Sequence, residues 1–236
     1  MNQIIRDDAS GARWADPGTN QLTLEEGDIH LWNLCPSHAY AKDLEPAERA
    51  RYRRIVHEEA KISYVTAQVG LRRVAARYRG EAPENVILHR GPQGKPHLSG
   101  GPEFNLSHTA GGVFAAFSAQ PVGLDIESAD RKVHAESLAG KFFSRKENEY
   151  LLGLRPEQRN RTFLRFWIGK EATVKLSGDG IFLGLRDAEV ELGDGGVSRG
   201  RYRGREVWLQ EFLPGGNLLA CLATWQPGEV KCFFRL

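Results

Sequence analysis

The chain has 236 residues, 41% of them hydrophobic and 26% charged, with a formal net charge of +2. That composition excludes a disordered chain, and a chain of this length buries roughly 70–75% of its unfolded surface without disulfides or a structural metal. Cys35, Cys221 and Cys232 show neither disulfide-framework nor zinc spacing, and no run of about 18 apolar residues exists to span a membrane. The N-terminus is acidic where a signal peptide would carry its apolar core, so a soluble, cytoplasmic protein is expected.

The first 27 residues are polar and expected to be loosely held, with Trp14 placed to pin them. Residues 29–34 (IHLWNL) read as the first strand. Between residues 45 and 79, Ile55, Ile62, Val65, Val69 and Val74 recur at roughly helical intervals, which predicts two helices or one broken helix. Residues 86–89 form a short strand, and 90–103 a Gly/Pro loop that carries Lys95 just before Pro96. Residues 104–107, 113–118 and 122–127 read as a three-stranded meander.

Helices are predicted over 136–143 and 144–154, the second with Ser144 and Glu147 in capping-box spacing. A long helix over 157–176 ends at Ser-Gly-Asp-Gly. Residues 188–192, 206–212, 218–225 and 230–234 then read as the strands of a second sheet. The fold class expected is α+β in two structurally similar halves, residues 1–120 and 121–236. Each is an antiparallel sheet packed on a long helix, with the active site between them.

Two acidic stretches dominate. In VGLDIE, strand alternation sends Asp125 and Glu127 to one face together with Gly123, whose missing side chain is expected to leave room for a ligand. In the predicted long helix, Glu171 and Lys175 share one flank at i, i+4 spacing. Three carboxylates brought together repel unless a cation neutralises them, which points to an oxygen-rich Mg²⁺ site and phosphate chemistry. Basic residues cluster at Arg49, Arg51, Arg53 and Arg54 and again at Arg72, Arg73, Arg77 and Arg79. Each run could be a solvated helix face, although Arg51 and Arg54 at i, i+3 could offer a phosphate two guanidinium groups.

GKPHL (94–98), FNLSH (104–108), VGLDIE (122–127) and WIGKEATVK (167–175), in this order, resemble the 4′-phosphopantetheinyl transferases of the larger, surfactin-synthetase-activating type. The resemblance covers roughly residues 44–180, and it rests on the joint order and spacing rather than on any one motif. It implies that coenzyme A binds with Mg²⁺ on its pyrophosphate and that its phosphopantetheine arm passes to a carrier-protein serine. Adenosine 3′,5′-bisphosphate leaves.

Under that resemblance Asp125, Glu127 and Glu171 become the metal ligands, and Lys175 stabilises or protonates the departing phosphate. Either Glu127 or Glu171 takes the serine proton, with Glu171 preferred. Lys95, Ser107, His108 and Lys170 match positions that contact coenzyme A, and Arg51 falls near the site of its 3′-phosphate. Taken alone, His108 reads as an ordinary turn histidine, Lys170 as a solvent-side residue and Asp130 with Arg131 as a solvated turn. Glu48 and Tyr64 depart from the family's usual basic and hydroxyl residues.

The implied partner is an acidic, helical acyl- or peptidyl-carrier domain that meets the arginine-bearing surface and apolar contacts around Phe142, Phe143 and Leu151. A monomer is expected, with neither nucleic acid nor membrane as partner. Two rivals stand beside this reading: a metal-dependent nuclease or phosphatase, and a non-catalytic module that binds coenzyme A or a carrier.

Overall fold

A computed structural model describes residues 21–35, 38–110, 112–180, 184–192 and 197–236; Trp14 lies outside them. The chain opens with β1 (Asp28–Leu34) and then α1 (Pro46–Tyr52). Glu45 caps α1 in a box with Glu48, which accepts the Glu45 backbone N–H at 3.0 Å, and Pro46 takes the first helical position. α2 (Glu58–Val65) and α3 (Leu71–Arg79) form one rod joined by a π-helical turn over Thr66–Gly70. The helix is therefore widened at one turn rather than broken.

The short strand expected over 86–89 stands as β2 (Leu88–Arg90), and the stretch read as a Gly/Pro loop holds its hairpin partner, β3 (Pro96–Leu98). β4 (Glu103–Thr109), β5 (Gly112–Ser118) and β6 (Val122–Ser128) follow. α4 (Ala135–Phe142), α5 (Arg145–Gly153) and α6 (Pro156–Ser177) lead to β7 (Ala188–Glu191), β8 (Val197–Tyr202), β9 (Arg205–Phe212), β10 (Leu218–Thr224) and β11 (Glu229–Arg235). The capping box at Ser144 and the Gly178 C-cap of α6, at φ 80°, stand where the sequence places them. No helix among the described residues is long and apolar enough to cross a membrane.

The fold is α+β, built on two main sheets. The first runs β11-β1-β5-β4 and the second β6-β10-β9-β8-β7. Two expectations change here. β6 does not continue a meander from β5; after Pro121 it becomes the edge of the second sheet beside β10. β11, expected in the second sheet, crosses back and pairs in parallel with β1. Residue 121 thus divides the sheets for every strand but the last.

α3 packs on the first sheet through Leu71, Val74 and Ala75 against Trp32 and Phe117, and α6 packs on the second through Phe163, Leu164 and Ile168. A third cluster, including Ile29, Leu31, Phe114, Leu124, Ile126 and Leu222, is buried between the sheets. Burying a side chain of this size is worth roughly 1.5–3 kcal/mol, so this shared core holds the two sheets in fixed relation.

Candidate active site

The site forms where the free edge of β4 meets the edge of β6. No backbone ladder joins these strands; instead Asn105 Oδ1 accepts the Leu124 N–H at 2.9 Å and Ser107 Oγ accepts the Ile126 N–H at 3.2 Å. Two side chains thus satisfy edge donors that would otherwise be buried without partners. α6 lies directly on β6, and Gly123 is what permits it. A Cβ on Gly123 would stand 2.0 Å from the Ala172 carbonyl oxygen. The space expected for a ligand there is filled by helix backbone, which brings Glu171 and Lys175 beside Asp125.

Asp125 is 3% exposed. Its Oδ1 accepts from Lys175 Nζ at 2.6 Å and from the Ser107 hydroxyl at 3.0 Å. Its Oδ2 is buried with no hydrogen-bond partner among the described residues. Lys175 Nζ also donates to Ser107 Oγ at 3.2 Å and stands 4.0 Å from Glu171. The Glu171 carboxyl is pushed up to about 7, first by burial and then by the Asp125 charge, against the pull of Lys175. The Trp167 indole N–H, buried with no hydrogen bond of ordinary geometry among the described residues, tempers the rise.

Glu127 is also raised, by burial, while Arg131 in ion-pair contact opposes the shift and Asp125 adds to it. Arg131 is therefore no bystander in a solvated turn. It stands at i+4 from Glu127 and neutralises it.

Among the described residues no three His, Cys, Asp or Glu side chains converge as a ready metal cage, and Glu127 is in ion-pair contact with Arg131. The donors nevertheless fit Mg²⁺, which takes oxygen ligands and is commonly held by one or two carboxylates plus substrate phosphates. Asp125 offers a buried oxygen without a partner, and Glu171 carries a charge that its surroundings disfavour unless a cation is added.

Beside these groups opens a cavity of about 510 Å³ with Leu71, Leu88, Leu106 and Val174 as its apolar wall. Lys95, His108 and Lys175 line it, as do Asn105 and Arg90. His108 is held below the usual histidine range by burial and by Lys175, so it favours the neutral ring. Lys95 spends its ammonium partly on the end of α6, donating to the Lys175 carbonyl at 2.6 Å and to that of Leu176 at 3.5 Å.

Two expected contacts stand apart from this cavity. Lys170 is fully buried on another side of α6, where it donates to both Glu147 oxygens, at 2.8 and 3.1 Å, and to the Ala188 carbonyl. All three of its protons are used inside the core, so it is not presented to a ligand. Glu147 was legible only as a cap; its second task as the counter-charge of Lys170 leaves no trace in local sequence. Arg51 lies on α1 with its guanidinium 5.5 Å from the centre of the Tyr64 ring, outside the residues that line the cavity.

The acidic strand and helix lie within residues 121–221, which match the model of the 4′-phosphopantetheinyl transferase superfamily. The chain belongs to the 4′-phosphopantetheinyl transferases and is an enzyme of that class. It is 30% identical to the 4′-phosphopantetheinyl transferase HetI of Nostoc sp. over 228 residues, 89% of this chain and 95% of HetI. It is 32% identical to the 4′-phosphopantetheinyl transferase Sfp of Bacillus subtilis over 158 residues, 66% of this chain and 70% of Sfp. With AcpT of Salmonella typhimurium it shares 40% identity over 99 residues, 41% of this chain and 50% of AcpT.

Proposed function

We propose that the protein transfers the 4′-phosphopantetheine group of coenzyme A to a serine of an apo acyl- or peptidyl-carrier protein, with Mg²⁺ as cofactor and adenosine 3′,5′-bisphosphate as the second product. The observation that carries this reading is the buried Asp125 Oδ2, unpartnered among the described residues, beside a Glu171 carboxyl pushed to about 7, both next to Lys175, which lines a cavity with Lys95 and Arg90. Asp125 and Glu171 would hold the metal, with Glu127 joining them on release from Arg131. When bound, Mg²⁺ supplies charge neutralisation at the phosphoryl oxygens.

The carrier serine oxygen bonds to the β-phosphorus as the bond from that phosphorus to the bridging oxygen breaks. Its proton passes to a carboxylate, Glu171 by preference, whose basicity near neutrality suits a general base. Glu127, raised in the same sense, is the alternative acceptor. Lys175 offsets the charge that grows on the departing phosphate, and its contacts with Asp125 and Ser107 fix where its ammonium sits. Neutral His108 and Ser107 contribute uncharged hydrogen-bonding groups beside the phosphates, and Lys95 contributes positive charge. One chain supplies both sheets around a shared core, which supports action as a monomer.

The test is the mass of a panel of apo carrier proteins after incubation with the protein, coenzyme A and Mg²⁺. One added phosphopantetheine, absent with Glu171→Gln or with EDTA, is the expected result. No added mass on any carrier overturns the reading.

A further inference from the structure

The two faces of the β2–β3 hairpin meet different surroundings. Leu88 stands opposite Leu98 and Arg90 opposite Pro96, and this face is turned inward: Leu88, Arg90 and Pro96 line the cavity, and Leu98 is 7% exposed. Strand alternation sends the residues between them, His89 and His97, to the outer face, where both are exposed. They are direct partners across the hairpin, with ring centres 5.6 Å apart and ring planes inclined by 33°.

This pairing is held from both ends. At the loop, the Gly91 N–H donates to the Lys95 carbonyl at 2.9 Å, the Gly94 N–H to the Gly91 carbonyl at 2.9 Å, and the Arg90 guanidinium to the Gly94 carbonyl at 3.2 Å. At the open end the buried Leu98 fixes the register, because a slip of one residue would turn it to solvent. The two imidazoles are thus preset opposite each other, and little further order is needed to bring both to one ion.

Imidazole nitrogens suit Zn²⁺, Ni²⁺ and Cu²⁺, whereas Mg²⁺ takes oxygen. Two of them bound to one tetrahedral ion at about 2.0–2.1 Å put their ring centres roughly 5 Å apart, so a small rotation of these exposed side chains closes them on a metal. Among the described residues neither ring is drawn into a hydrogen bond or an ion pair, and no third His, Cys, Asp or Glu joins them. An ion held by two side chains keeps its other positions for water and exchanges with solution. We propose that His89 and His97 form an exchangeable site for a divalent ion of the Zn²⁺ class, apart from the carboxylates of the cleft, and that the ion pins β2 to β3 behind the cavity wall. The site stands whether or not the transferase reading does.

The experiment is calorimetric titration of the untagged chain with ZnCl₂ in saturating Mg²⁺, for the wild type, His89→Ala and His97→Ala. Both positions are exposed, so either substitution leaves folding intact, which an unchanged melting midpoint without Zn²⁺ verifies. The wild type is expected to take up a Zn²⁺ that each variant binds about 10-fold more weakly or worse, because a single imidazole loses the advantage of a tethered second ligand. Hydrogen exchange at the backbone amides of residues 88–98 is expected to slow with Zn²⁺ in the wild type and in neither variant. No uptake of Zn²⁺, or uptake that either substitution leaves at wild-type affinity, overturns the site. Amide exchange in the wild type that Zn²⁺ leaves unchanged overturns the pinning of the hairpin.

Discussion

Ser107 and Asp125 are locked together across the seam between the two sheets. The Ser107 hydroxyl gives its proton to Asp125 Oδ1 at 3.0 Å while accepting from the Ile126 N–H and from Lys175 Nζ. One small side chain therefore joins the sheets and orients an acidic residue of the site. Ser107→Ala leaves the buried Ile126 N–H without a partner, and the expected loss of stability is about 1–3 kcal/mol. Urea unfolding of the two proteins at one pH measures it, and equal midpoints contradict the bridging role.

Gly123→Ala tests the contact that seats α6. The added Cβ would stand 2.0 Å from the Ala172 carbonyl oxygen and 2.7 Å from the Leu176 nitrogen, both of them backbone atoms. The helix must move away from β6, and with it Glu171 and Lys175 move from Asp125. A cost of about 3 kcal/mol or more is expected from such overpacking. Thermal melting reads the stability and carrier modification reads the site; a variant that matches wild type in both would show that α6 is free to shift.

The Glu171 carboxyl gives the stability of the protein a pH dependence in EDTA. Its ordinary value is 4.5 and in the fold it is about 7, so between these two the folded chain keeps a proton that the unfolded chain has released. The stability this brings is complete below 4.5 and is lost as pH rises toward 7. Glu171→Gln removes that loss. The variant is expected to exceed wild type at pH 8 by on the order of 2 kcal/mol, a difference that shrinks toward pH 5. Unfolding midpoints across this range check it, and parallel curves would contradict the raised value.

Lys170→Met separates a core role from a ligand role. Removing the lysine strands the Glu147 carboxylate at 4% exposure, and breaking such a buried pair costs about 3–5 kcal/mol. Adding Glu147→Gln removes the stranded charge while keeping an acceptor for the Val190 N–H, so most of the stability returns. In that double variant KM for coenzyme A is expected to equal that of wild type. A raised KM in the refolded double variant means that Lys170 reaches the ligand after all.

Much of the site is written in short-range periodicity. Strand alternation in VGLDIE and the i, i+4 spacing of Glu171 and Lys175 are properties of a few consecutive residues, and the structure brings these groups together as that spacing requires. What stayed illegible depends on pairings between distant residues. Lys170 and Glu171 adjoin in sequence, but the turn of a helix sends one into the core beside Glu147 and the other to the cleft. The missing side chain of Gly123 leaves space on its face of β6; which neighbour takes that space is settled only by packing, and it is α6. β2 is legible as the strand expected over 86–89, but its partner β3 is hidden among glycines and prolines, and each strand has only three residues.

The return of β11 to the side of β1 has a consequence for biosynthesis. Asp28 is in register with Glu229, so the first and last strands among the described residues are neighbours. On the ribosome the first sheet stays open along that edge until β11 has emerged, and the closing step spans the loop from β1 to β11. The seam of Ser107 and Asp125 likewise waits for β6, which needs β10 at its other edge. A nascent chain thus acquires its binding cleft only after β6 and β10 have both been made.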